Sequence, residues 1–115
     1  MAVIETGENQ KSLILQTHYY KASYDQIKEA YLAILEELKH NIVSVNDDYT
    51  EVYSEIPHME VIAKIIMQDP KETSIDFYIN SDFLMGAKSK AEKFIQTVLA
   101  KIEAKYEFKG VSLHK

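Results

Sequence analysis

Apolar residues change period twice along this chain, and the changes divide it into segments. From Ser12 to Tyr20 the sequence SLILQTHYY alternates, with Leu13, Leu15, Thr17 and Tyr19 on one side, and reads as a strand. Ser23-Tyr24-Asp25-Gln26 then supplies a capping box, in which Ser23 accepts from the third amide and Gln26 reaches back. Beyond it Ile27, Tyr31, Ile34, Leu35 and Leu38 recur at helical spacing, which predicts a helix to about Lys39. From Ile42 to Asn80 the period falls to two. Four strands fit, near 42–46, 49–56, 60–68 and 73–80, with turns at Asp47-Asp48, Pro57-His58 and Asp69-Pro70-Lys71. A second helix, about 84–106, carries Ala87, Ala91, Phe94, Ile95, Val98, Leu99 and Ile102 on one side.

The resulting order is β-α-β-β-β-β-α in a single domain spanning 1–115, with residues 1–11 as a flexible tail. One apolar face per strand and one stripe per helix give an α+β fold of two layers. An antiparallel five-stranded sheet carries both helices on one face. That element order resembles the helix-grip and TATA-binding-protein-like arrangements, including the START-type lipid-binding proteins. The resemblance implies a pocket between the sheet and the C-terminal helix.

Alternation also assigns the outer face of the sheet. A two-residue turn at Asp47-Asp48 sets Ile42 opposite Tyr53. A loop at 57–60 then sets Tyr53 opposite Lys64, and an odd-length third loop sets Lys64 opposite Tyr78. The expected row is Ile42, Tyr53, Lys64, Tyr78, with Ile62 and Ile66 beside it. Val43, Val52, Ile65 and Phe77 point to the helices. Tyrosine is a frequent anchor in protein interfaces, so this face is the candidate interaction surface. The partner expected on it is a second copy, as a homodimer, or another protein.

Composition narrows the alternatives. The chain has no cysteine, which removes disulfides, thiolate nucleophiles and cysteine-based zinc sites. All thirteen basic residues are lysine, and arginine is the usual bidentate phosphate ligand. Residues 1–82 carry a charge of −9 and residues 83–115 a charge of +4, for a net −5. Nucleic acid is therefore an unfavoured partner. No apolar run reaches membrane-spanning length and no signal segment is visible, so a soluble cytoplasmic protein with no membrane partner is expected.

Chemistry-bearing motifs are few. Gly86-Ala87-Lys88-Ser89 follows a strand and opens a helix, as a phosphate loop would. Aligned on GxxxxGK[ST], however, Asp82 and Ala87 stand where the two glycines belong, and the strand lies in an antiparallel meander. Ser81 or Asp82 is the expected cap of that helix. The histidines His18, His40, His58 and His114 form no i, i+4 pair, and His40 suits the C-terminal dipole of the first helix. No catalytic constellation, cofactor motif or metal motif is present. A non-enzymatic interaction module is the leading reading. The alternative is a small apolar-ligand binder with Thr17, Tyr19, Tyr31, Ser54 and Ala63 around its pocket.

Overall fold

A computed structural model describes residues 2–82 and 85–111. Along the chain come β1 (Ala2–Glu5), a single 3₁₀ turn (Leu13–Leu15), β2 (His18–Lys21), α1 (Tyr24–Glu37) and β3 (Asn41–Asn46). They are followed by β4 (Glu51–Ile56), β5 (Met59–Asp69), β6 (Glu72–Ser81), α2 (Ala87–Glu103) and β7 (Glu107–Val111). The sheet order is β3-β4-β5-β6-β2-β7, all pairs are antiparallel, and β1 pairs with β6 in line with β2.

The sheet therefore has seven strands, and the expected five-stranded β-α-β-β-β-β-α order is corrected at both ends. The extra strands are β1 and β7. β1 lies within the segment assigned to a tail; Ile4 sits opposite Ile79 on β6 and is buried. Four residues are too few to show a period, so only the partner strand reveals it. β7 pairs with β2 and lays Phe108 against the rings of His18 and Tyr20, at 5.4 and 5.6 Å.

The first expected strand is also revised. Leu13 and Leu15 belong to the 3₁₀ turn, and β2 begins at His18 with the opposite phase. His18 faces Ile75 and Tyr20 faces Thr73, both on the helix side, while Tyr19 faces Ser74 on the outer side. A one-residue change of phase exchanges every side chain between faces.

The helix α1 starts as its sequence predicts. Ser23 Oγ accepts from the Gln26 amide at 3.2 Å, and Gln26 Oε1 accepts from the Ser23 amide at 2.9 Å. Its buried stripe is Ile27, Ala30, Tyr31, Ile34 and Leu35. The helix α2 starts differently: Gly86, at φ 73°, precedes the first turn and no side chain caps it. Ser81 is instead buried at the end of β6, and Asp82 pairs with His58 at 2.8 Å. The expected start of this helix at 84, and His114, lie outside the described residues.

Both helices cover the same face of the sheet. Phe77 marks the junction, its ring 6.0 Å from Tyr31 of α1 and 6.1 Å from Phe94 of α2. Val52, Val61, Ile65, Ile75 and Ile79 fill the rest of that face. Among the described residues, no helix is long and apolar enough to cross a membrane.

Candidate functional site

Face and register of the sheet are set by different things. Face follows alternation, and Tyr53, Ile62, Lys64, Ile66 and Tyr78 all lie on the outer side, away from the helices. Register follows the turns, and each turn differs from expectation. The first turn has four residues, Asp47 to Thr50, stabilised by Asn46 Oδ1 accepting from the Tyr49 amide at 3.1 Å. The second has two residues, Pro57 and His58, with His58 at φ 69°. Tyr53 consequently faces Ser44 and Ile62, and Ile62 faces Tyr78. Lys64 lies in the next row, between Glu51 and Asp76.

Ile42 leaves the outer face altogether. A bulge between Ile42 and Ser44 shifts the pairing, so Ile42 faces the buried Ser54 and packs against the core. The extra residue is Val43, expected inside but 46% exposed. The corrected outer row is Ser44, Tyr53, Ile62, Tyr78 and Glu5.

Around this row the face is acidic. Glu5, Glu51, Glu55, Glu60 and Asp76 lie around it together with Lys64, whose Nζ is 3.6 Å from Glu51. Glu55 and Glu60 stand directly opposite one another on neighbouring strands, an arrangement that costs sheet stability. Tyr53 Oη donates to Glu60 Oε2 at 2.8 Å, and that bond holds the phenol pKa above its ordinary value. Glu5, Glu51, Ile62, Lys64, Asp76 and Tyr78 border a concavity of about 450 Å³ on this side of the sheet.

Asp76 is the most enclosed of these acids. Thr6 Oγ1 donates to Oδ1 at 2.6 Å, and Thr17 Oγ1 lies 2.9 and 3.0 Å from the two carboxylate oxygens. Burial pushes its pKa up, and the threonine bonds offset part of that rise. Thr6 also accepts from the Phe77 amide at 2.8 Å, so the cluster ties the end of β1 to β6.

The residues expected around an apolar-ligand pocket do not come together. Thr17 turns to Asp76, and Tyr19 Oη donates to Glu8, both on the outer side. Tyr31, Ser54 and Ala63 do lie on the inner side, but they are wholly buried within the packed layer between sheet and helices. Burial raises the Tyr31 pKa, and the nearby Ser54 hydroxyl offsets this slightly without reaching full hydrogen-bond geometry.

A different pocket opens where the end of α1, the β4–β5 hairpin and the first turns of α2 meet. It is a solvent-open groove of about 290 Å³, with Leu38, Ile56, Met59 and Phe94 as its apolar surface and Lys90 and Lys93 along α2. His40 lies against Phe94, ring centroids 4.8 Å apart at 30°. Its Nδ1 is shut off from solvent and has no hydrogen-bond partner, and burial lowers its pKa. The expected dipole role falls instead to backbone groups. The His40 amide donates to Leu35 O at 2.9 Å and the Lys39 amide to Glu36 O at 3.1 Å, the pattern that ends a helix through a left-handed residue.

Sequence spacing could not find this pocket, because its lining comes from segments near 38–40, 56–59 and 90–97. Among the described residues, no group of three or more histidine or carboxylate side chains is placed to hold a metal ion. No protein-family model, no curated protein and no solved structure matches this chain.

Proposed function

We propose that this domain is a non-enzymatic interaction module that self-associates through the outer face of its sheet. The observation that carries the reading is the composition of that face. Tyr53, Ile62 and Tyr78 stand in one cross-strand row within a concave, acidic surround. Aromatic and aliphatic groups at the centre of a patch are the usual energetic anchors of an interface. Charged groups around them choose the partner and its orientation.

The charge argues against two such faces meeting. The carboxylates clustered around the row would repel those of a second copy, and the opposed Glu55 and Glu60 would be compressed further. The complementary surface is on the other side of the molecule, where Lys88, Lys90 and Lys93 are exposed on α2. A convex helix bearing lysines suits a concave sheet bearing acids. Copies then associate face to helix, and such head-to-tail contacts extend or close into rings, with no two-fold dimer as their end point.

Sedimentation velocity across protein concentration and salt tests the reading. Wild type should associate at low salt and dissociate as salt rises. Tyr53→Ala with Tyr78→Ala should leave a folded monomer. Glu60→Lys converts a like-charged cross-strand pair into an opposite-charged one, so the monomer should gain a few tenths of a kcal/mol while association weakens. A wild type that stays monomeric at low salt and high concentration would overturn self-association.

A further inference from the structure

The small pocket between α1, the β4–β5 hairpin and α2 combines three features that point to one class of ligand. Its floor is hydrocarbon, from Leu38, Ile56, Met59 and Phe94. Its rim along α2 is cationic, since Lys90 and Lys93 both line it and both are exposed. Among the described residues that line it there is no carboxylate. Glu55 and Glu60 belong to the same hairpin, but alternation turns both to the outer face of the sheet. Two further polar side chains reach the lining, Thr97 and His40, and the Nδ1 of His40 is buried without a partner.

We propose that this pocket binds a short- to medium-chain carboxylate, the hydrocarbon tail on the apolar floor and the carboxylate at Lys90 and Lys93. Size and chemistry both favour this occupant. A volume of about 290 Å³ lies at the small end of the range for ligand sites, roughly 300–1,000 Å³. It matches a short hydrocarbon chain in size. Burial of a tail against Phe94 and Met59 supplies the non-directional part of the affinity. Positive charge at the rim supplies the choice of head group, because a neutral or cationic head gains nothing from it. Flexible lysines at the rim can meet the carboxylate while their stems extend the apolar wall.

The pocket lies on the helix side of the sheet, so it is separate from the aromatic row of the outer face. Solution NMR of the full chain, titrated with octanoate, tests the proposal. Amide and side-chain signals of Leu38, His40, Met59 and Thr97 should shift together and saturate. Octanol should bind at least tenfold more weakly, and octylamine should produce no saturable shift. Lys90→Gln with Lys93→Gln, both at exposed positions, should remove the preference for octanoate over octanol while leaving the spectrum of a folded protein. Because Lys90 and Lys93 also lie on the helix face proposed to meet a second copy, the titration is made where both proteins sediment as monomers, and there the Tyr53→Ala, Tyr78→Ala variant should bind octanoate as wild type does. Shifts that fail to saturate, that map to the outer face, or that are matched by octylamine would each overturn the proposal. So would an octanoate preference that survives loss of both lysines.

Discussion

Thr17 Oγ1 bridges both carboxylate oxygens of Asp76, at 2.9 and 3.0 Å, across a sequence separation of 59 residues. The contact joins the start of β2 to the middle of β6 and encloses a carboxylate on a sheet face that alternation alone would leave open to water. Enclosure has a thermodynamic consequence. Burial raises the Asp76 pKa above 3.8, and donation from Thr6 and Thr17 offsets only part of the rise. The fold therefore favours the protonated acid more than the unfolded chain does. That contribution is complete below pH 3.8 and is lost as pH climbs through the raised folded value. Asp76→Asn keeps an acceptor for both threonines and cannot ionise. The stability of wild type minus that of the variant should fall with rising pH across this window and then level off, measured by urea denaturation at a series of pH values. A difference that grows with pH would mean that the threonine bonds outweigh burial.

Tyr31 places a hydroxyl inside the core where neither it nor Ser54 completes a hydrogen bond. An unsatisfied buried polar group costs free energy that its removal restores. Tyr31→Phe keeps the ring beside Phe77 and should leave stability unchanged or raise it by up to ~1 kcal/mol. Thermal or urea denaturation checks it. A loss larger than ~1 kcal/mol would show that the two hydroxyls are effectively bonded.

Lys39 ends α1 at φ 62°, in the left-handed region where glycine is the usual residue. Its side chain is exposed, so the strain is the main consequence of its identity. Lys39→Gly should stabilise the protein by about 0.5–1 kcal/mol, after allowing for the greater freedom of glycine in the unfolded chain. The urea midpoint should rise without a change in slope; a lower midpoint would contradict the argument.

Ala63 is fully buried on β5, opposite Val52 and Phe77. Added methylenes there have no empty space to enter. Ala63→Leu should cost ~1–3 kcal/mol through overpacking. A neutral result in equilibrium unfolding would reveal room beneath the sheet that the packing does not show.

Much of the local structure was legible because it depends on neighbours in the sequence. The Ser23–Gln26 capping box forms as read, since both bonds span three residues. The faces of Val52, Ile65 and Phe77 follow from alternation, and so do those of Tyr53, Lys64 and Tyr78. The facing partners along that row were not legible. They depend on turn lengths, and these rest on one side-chain bond from Asn46 and on left-handed backbone at Thr50 and His58.

What the sequence by itself determined is the set of amphipathic pieces, because periodicity is a property of a chain in contact with any apolar layer. What only the tertiary structure decided is which pieces share an edge and where covered surface ends. Ala2–Glu5 becomes a strand because β6 offers it unpaired backbone groups and a pocket for Ile4. Val45 stays 40% exposed, although its partner Val52 is buried, because it lies on the edge strand β3. His40 meets Phe94 because two helices distant in sequence converge at one end of the sheet. Such meetings are fixed by the packing of whole elements, where many weak contacts act at once, and no short window of residues contains them.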